Sequence, residues 1–264
     1  MDIANENSKD EIITLFFFMI VLQNQKGWKI ITQRSHGLLA AMIAYQYNID
    51  LPVEIMVPVL VAIAEHDDGV TETLAHQNLT DLGAPRNFTV EDGSTKTDLT
   101  QLLNLMEIGN SKSQLNGLLS SLHLKFLYDG DKRKTDNGLD DFLKNQDQYR
   151  ITVLKNLHID KKFAARLYRF LEWSDAFSLL ICLDKIQHRG RKMEVSKSPD
   201  GDMNTVHYKP NKDICVEPWP FRSTSFKVFY EYKILEQLQF NSVEAFNEAC
   251  KAAKVEQAVF TLLK

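Results

Sequence analysis

LPVEIMVPVLVAIAEHD, residues 51–67, is apolar nearly all round and runs straight into an ionisable dipeptide. A membrane-spanning helix needs ~20 consecutive apolar residues, and Glu54 and Pro58 interrupt this run well short of that. It therefore predicts a buried, central helix over about 52–66, with a soluble protein built around it. Working outward, Leu38, Leu39, Met42 and Ile43 stand at helical spacing over about 35–47. Leu115, Leu118, Leu119, Leu122 and Phe126 form a further stripe within about 98–128, with a break near IGNSK. Two more helices are expected at about 139–157 and 160–188.

Both ends of the chain read differently. FFFMIVLQ and WKIITQ flank a glycine-bearing turn, which predicts two strands at 16–22 and 28–33. Near the other end, SPDGD is strong turn chemistry inside a hairpin. In SFKVFYEYKI the residues Phe226, Val228, Tyr230 and Tyr232 alternate as in a half-buried strand. A short helix at about 242–253 and a last strand, AVFTLL, follow. The expected fold class is α+β, mostly α: a helical core with a small antiparallel sheet built from both termini. Residues 19–264 would form a single domain, with 190–264 its β-rich part.

Composition narrows the function. The chain has 264 residues, 44% apolar and 25% charged, with 31 basic against 35 acidic side chains, a net charge of −4 and a pI near 6.0. This argues against wholesale disorder and gives no basic excess for nucleic acid. IITLFFFMIVL at 12–22 is too short to span a bilayer. Asp2, Glu6, Asp10 and Glu11 precede it where a signal peptide carries positive charge. Cys182, Cys215 and Cys250 are odd in number and far apart, which suits reduced thiols in a cytoplasmic protein. The reading is thus cytoplasmic, with no nucleic acid and no membrane.

Four features carry chemistry, in this order: His36 just inside the first helix, His66-Asp67 ending the second, His123 in LLSSLHLKFL, and Asp175 in FLEWSDAFSLLICL. Leu171, Ser178 and Cys182 surround Asp175 on its helix, and a buried carboxylate must meet a cation, a donor network or a metal. Singly, Asp175 reads as readily as half of a structural network, and His123 as a satisfied core histidine. Together, imidazoles and carboxylates on neighbouring helices are a ligand set for a divalent ion such as Fe, Mn, Zn, Co or Mg. Asp68 is a candidate base, or equally a helix-ending residue. Arg34 and Arg86 are candidate cations for a substrate anion. No glycine-rich phosphate loop, no GxSxG elbow and no cysteine placed beside a histidine is found.

The order His, His-Asp, Asp resembles the HD phosphohydrolase superfamily, in which such residues bind a divalent metal. By that resemblance His36, His66, Asp67 and Asp175 match the metal ligands, and His123 matches the extra histidines used for a second metal or a substrate phosphate. It also implies an HD-like helical core. More closely, GWKIITQRSHGLLA, VAIAEHDDGV, LGAPRNF, LLSSLHLKFLY, DDFLKNQDQ, EWSDAFSLLICL and VEPWPF resemble a bacterial uncharacterised family, domain of unknown function 3891. That family's pattern begins near Met19, which implies that residues 1–18 are an extension, either disordered or a misassigned start, and it has HDxGW where this chain has Val70 in place of the tryptophan. The expected function is metal-dependent hydrolysis of a small phosphoester or nucleotide-like metabolite. The alternatives are an iron oxygenase on the same scaffold and a non-catalytic binding protein.

Overall fold

The computed structural model describes residues 19–68, 78–87, 99–128, 137–188 and 190–264. Residues 1–18 and Val70 lie outside them. In chain order the elements are β1 (Met19–Asn24), β2 (Gly27–Thr32), α1 (Gln33–Gln46), α2 (Val53–Ala64), α3 (Leu99–Lys112), α4 (Gln114–Tyr128), α5 (Asn137–Asn156) and α6 (Lys161–Cys182). There follow β3 (Met193–Lys197), β4 (Met203–Tyr208), β5 (Ile214–Glu217), β6 (Ser225–Leu235), α7 (Val243–Ala252) and β7 (Val255–Leu263).

The expected mostly helical, HD-like core with a small antiparallel sheet is corrected by this architecture. One curled, mixed sheet of seven strands runs β1-β2-β6-β7-β5-β4-β3. The N-terminal hairpin joins it through β2, with Trp28 opposite Leu235. Its spine is the long β6–β7 pair, in register from Ser225↔Leu263 to Lys233↔Val255. β5 runs parallel to β7. The sheet supplies a large share of the core, which is why it is no appendage: Ile20, Ile31, Val206, Ile214, Val216, Val228, Tyr230 and Leu262 pack in one cluster with Leu167, Phe170, Trp173 and Phe177 of α6. On the opposite face Met19, Val21 and Ile30 pack with Leu235, Phe240, Phe246 and Cys250, beside α7. Both faces of β1 are thereby covered, so MIVL is a continuous apolar run rather than an alternating one.

The central helix is also not the one expected. Only Val59, Ala62 and Ile63 of α2 are buried, and Val53 and Val57 are 65% and 51% exposed. The buried helix is α6, whose Phe170, Trp173 and Phe177 are fully enclosed. Average apolarity favoured α2, but what buries a helix is a wide apolar stripe with large side chains, and α6 carries that. α1 lies across α2, α6 and β6, and α4 rests on α2 and α6.

Candidate metal centre

The site forms where α1, the end of α2, α4 and α6 meet. α1 leaves the sheet with no loop: Thr32 ends β2, and its hydroxyl caps the helix by accepting from the Ser35 amide at 3.1 Å. Ser35 Oγ in turn donates to the Glu231 carbonyl at 2.9 Å and accepts from the Glu231 amide at 2.8 Å, fixing the start of α1 on β6. His36 is therefore held by the sheet. The next residue sets its distance to the second histidine. A Cβ on Gly37 would stand 2.2 Å from the Ala64 carbonyl oxygen, so only glycine lets α1 approach the end of α2 this closely. Asn116, one heptad before His123, donates to the Pro58 carbonyl at 2.9 Å and fastens α4 to α2.

His36, His66 and His123 are 0%, 4% and 2% exposed, and the carboxylates of Asp67 and Asp175 close the cluster. Asp175 Oδ1 lies 3.0 Å from His36 Nε2 and 3.2 Å from His66 Nε2. Asp67 spans two histidines, with Oδ2 at 3.2 Å from His66 Nε2 and Oδ1 at 3.7 Å from His123 Nε2. One ligand atom each of His36, His66 and Asp67 lies within 4.8 Å of the other two. The expected residues His36, His66, Asp67, His123 and Asp175 are thus all brought together.

The other ring nitrogens decide which atoms are left for a ligand. His66 Nδ1 is 2.8 Å from the Ile63 carbonyl, which can only accept, so Nδ1 carries a proton. Ser178 Oγ donates its single proton to the Asp175 carbonyl at 2.8 Å and so must accept at 2.9 Å from His36 Nδ1. In the neutral imidazoles, both Nε2 atoms then point a lone pair at carboxylate oxygens. His66 Nε2 and His123 Nε2 are buried without a hydrogen-bond partner among the described residues. Two states relieve this: protonation of the imidazoles, or a cation among the five side chains. In the metal-free protein burial pushes the His66 pKa down, but Asp67 and Asp175 outweigh it and the net shift is well upward. Burial likewise raises Asp67 and Asp175, and the histidines reverse it, so that both fall well below the usual carboxylate range.

The geometry suits an ion. Ligand bonds of about 2.0–2.2 Å put neighbouring ligand atoms roughly 3.0–3.4 Å apart, and the contacts to His66 Nε2 and His36 Nε2 are 3.0–3.2 Å. Asp68 stands at the rim. Burial raises its pKa against the opposing pull of Arg34, whose Nε is 3.7 Å from Asp68 Oδ1. Arg34 is largely exposed beside it. Arg86 is engaged elsewhere: its Nε donates to the Leu79 carbonyl at 2.8 Å and Asp81 lies at 3.9 Å, so none of these contacts reaches the cluster.

Two contributors on α6, Ser178 and Tyr168, were not singled out from the sequence, and Glu172 was read there only as a plausible polar contact. Ser178 orients His36, Tyr168 Oη lies 3.3 Å from His123 Nδ1, and Glu172 interacts electrostatically with both Asp175 and His123. Residues 168, 172, 175 and 178 share one helical face, so continuing the spacing from Asp175 would have found them.

A family model described as a protein of unknown function, DUF3891, matches residues 19–237. No curated protein and no solved structure matches the chain. The match takes in every residue of the cluster, and on that extent the chain belongs to the DUF3891 family.

Proposed function

We propose that the cluster holds a divalent metal ion through His36 Nε2, His66 Nε2, Asp67 and Asp175, and that the protein is a metal-dependent hydrolase of a small phosphoester or nucleotide-like metabolite. The observation that carries this reading is the arrangement of the rings: two buried imidazoles whose Nδ1 atoms are already engaged both place Nε2 against the same carboxylate oxygen. The order of the ligands, resembling that of the HD phosphohydrolases, supports it, although the surrounding fold is different. A bound divalent ion would lower the pKa of a water molecule toward ~7 and neutralise charge on a phosphoryl oxygen. Asp68, which follows Asp67 in the chain and whose pKa burial raises, would accept the proton of that water. Arg34 offers an exposed guanidinium beside Asp68 for the substrate anion. His123 and Tyr168 lie on the far side of Asp67 and can donate to a leaving or transferred oxygen.

The test is a phosphate-release assay on untagged protein with Mn²⁺, Co²⁺, Zn²⁺ or Mg²⁺ added, over simple aryl phosphoesters and nucleotides. Metal-dependent release that disappears in Asp67→Ala and falls about 10²–10⁴-fold in Asp68→Asn is expected. Bound metal with oxygen consumption and no phosphate release would replace hydrolysis by iron oxygenase chemistry. A folded protein that takes up no metal would leave only a binding role.

A further inference from the structure

The sheet carries a second set of metal-ligand side chains on the face turned away from α6. Along β4, Asn204, Val206 and Tyr208 are buried, whereas Thr205 and His207 are half-buried on the other side. Val206 and Tyr208 face Val216 and Ile214 of β5 within the main core, so the alternate residues point outward. The antiparallel register sets His207 opposite Cys215 and Thr205 opposite Glu217. Directly opposed residues in such a pair have Cβ atoms about 4.5–5.5 Å apart, and i, i+2 neighbours share a face. An imidazole, a thiol and a carboxylate are thereby gathered on one small patch. One ligand atom from each of His207, Cys215 and Glu217 lies within 4.8 Å of the other two. Two further observations set it apart from a chance grouping. His207 Nδ1 is buried without a hydrogen-bond partner among the described residues, and Cys215, although on the outer face, is 6% exposed.

We propose that His207, Cys215 and Glu217 form a second, thiolate-containing site for a zinc-type divalent ion, independent of the histidine–aspartate cluster. Nitrogen, sulfur and oxygen donors in this mixture suit a borderline ion such as Zn²⁺ or Co²⁺. Bonds of about 2.0–2.3 Å require donors roughly 3.3–3.6 Å apart, so closing the trio needs side-chain adjustments of about an ångström rather than movement of the strands. Lys192 pairs with Glu217 Oε2 and holds the carboxylate in place. The Cys215 thiol gives up its proton to solvent as the Sγ–metal bond forms. Three protein ligands leave a fourth tetrahedral position for water or an outside ligand.

A cobalt(II) titration of the reduced, metal-stripped full chain tests this. The histidine–aspartate cluster contains no sulfur, so a thiolate-to-cobalt charge-transfer band in the near ultraviolet reports on the second site alone. The band should appear in the wild type, survive in Asp175→Asn and vanish in Cys215→Ser. In His207→Ala the cobalt affinity read from it should fall at least about ten-fold. Circular dichroism verifies that each variant folds; should Cys215→Ser fail, His207→Ala and Glu217→Gln read the same band. Folded wild type that gives no thiolate band in excess cobalt overturns the proposal, as does a band that persists in folded Cys215→Ser.

Discussion

His36 and His66 meet edge to face, with ring centroids 5.3 Å apart and planes inclined at 72°, and both present Nε2 to the same oxygen of Asp175. α1 and the end of α2 share one acceptor here because a glycine follows one histidine. Gly37→Ala should therefore act on the site as well as on stability. The added methyl would meet the Ala64 carbonyl at 2.2 Å, and relieving it must separate α1 from α2. Overpacking of this kind costs about 1–3 kcal/mol. Metal affinity should fall together with the melting temperature, whereas an alanine at the exposed Leu38 should change neither. Unaltered metal affinity in Gly37→Ala would show that helix spacing does not set the site.

Ser178 supplies a sharper test of the tautomer argument. In Ser178→Ala, the His36 Nδ1 proton loses its acceptor inside a fully buried site. Leaving a buried donor unpaired costs about 1–3 kcal/mol, and losing an orienting partner typically weakens metal binding 10–100-fold. Ser178→Thr keeps the hydroxyl and should restore most of the affinity. Zinc titrations of the two variants separate orientation from packing, and equal affinities would contradict the assigned hydrogen-bond direction.

The cluster was more legible in the sequence than the fold around it. Ionisable residues inside apolar helices betray themselves by the cost of burying them, so His36, His66-Asp67, His123 and Asp175 could be named without knowing how the helices cross. The choice of central helix failed because mean apolarity at 53–64 says nothing of which side faces solvent. Val53 and Val57 turned out exposed, while the charged-looking KKFAARLYRFLEWSDAF buries its aromatic stripe. The extent of the sheet failed for another reason. Pairing partners such as Trp28↔Leu235 lie about two hundred residues apart, and no local pattern shows that β6 and β7 become its spine. Ser178 and Tyr168 were missed because hydroxyls on a helix carry no burial penalty large enough to draw notice.

The thiol of Cys182, two turns along α6 from Asp175, gives a pH prediction. Burial pushes its pKa up to about 12, only partly opposed by Lys29. A folded-state value above the unfolded one means stability that is complete below about pH 9 and lost as pH rises toward 12. Wild type should thus lose stability faster than Cys182→Ala between pH 9 and 11, by up to about 1.4 kcal/mol per pH unit. Urea midpoints at both pH values check this; parallel slopes would contradict it. Native protein at pH 8 should also resist alkylation at Cys182 until unfolded.

Asp175→Asn is the measurement on which the metal centre stands most directly. The amide keeps the shape of the side chain but removes the anion facing His36 Nε2 and His66 Nε2. Elemental analysis and melting temperature are read on the same untagged samples, wild type and variant. The account predicts a folded variant that holds one metal equivalent less than wild type and hydrolyses no phosphoester. A variant that keeps its full metal content while its melting temperature drops would contradict it, and would make Asp175 a structural partner of the two histidines.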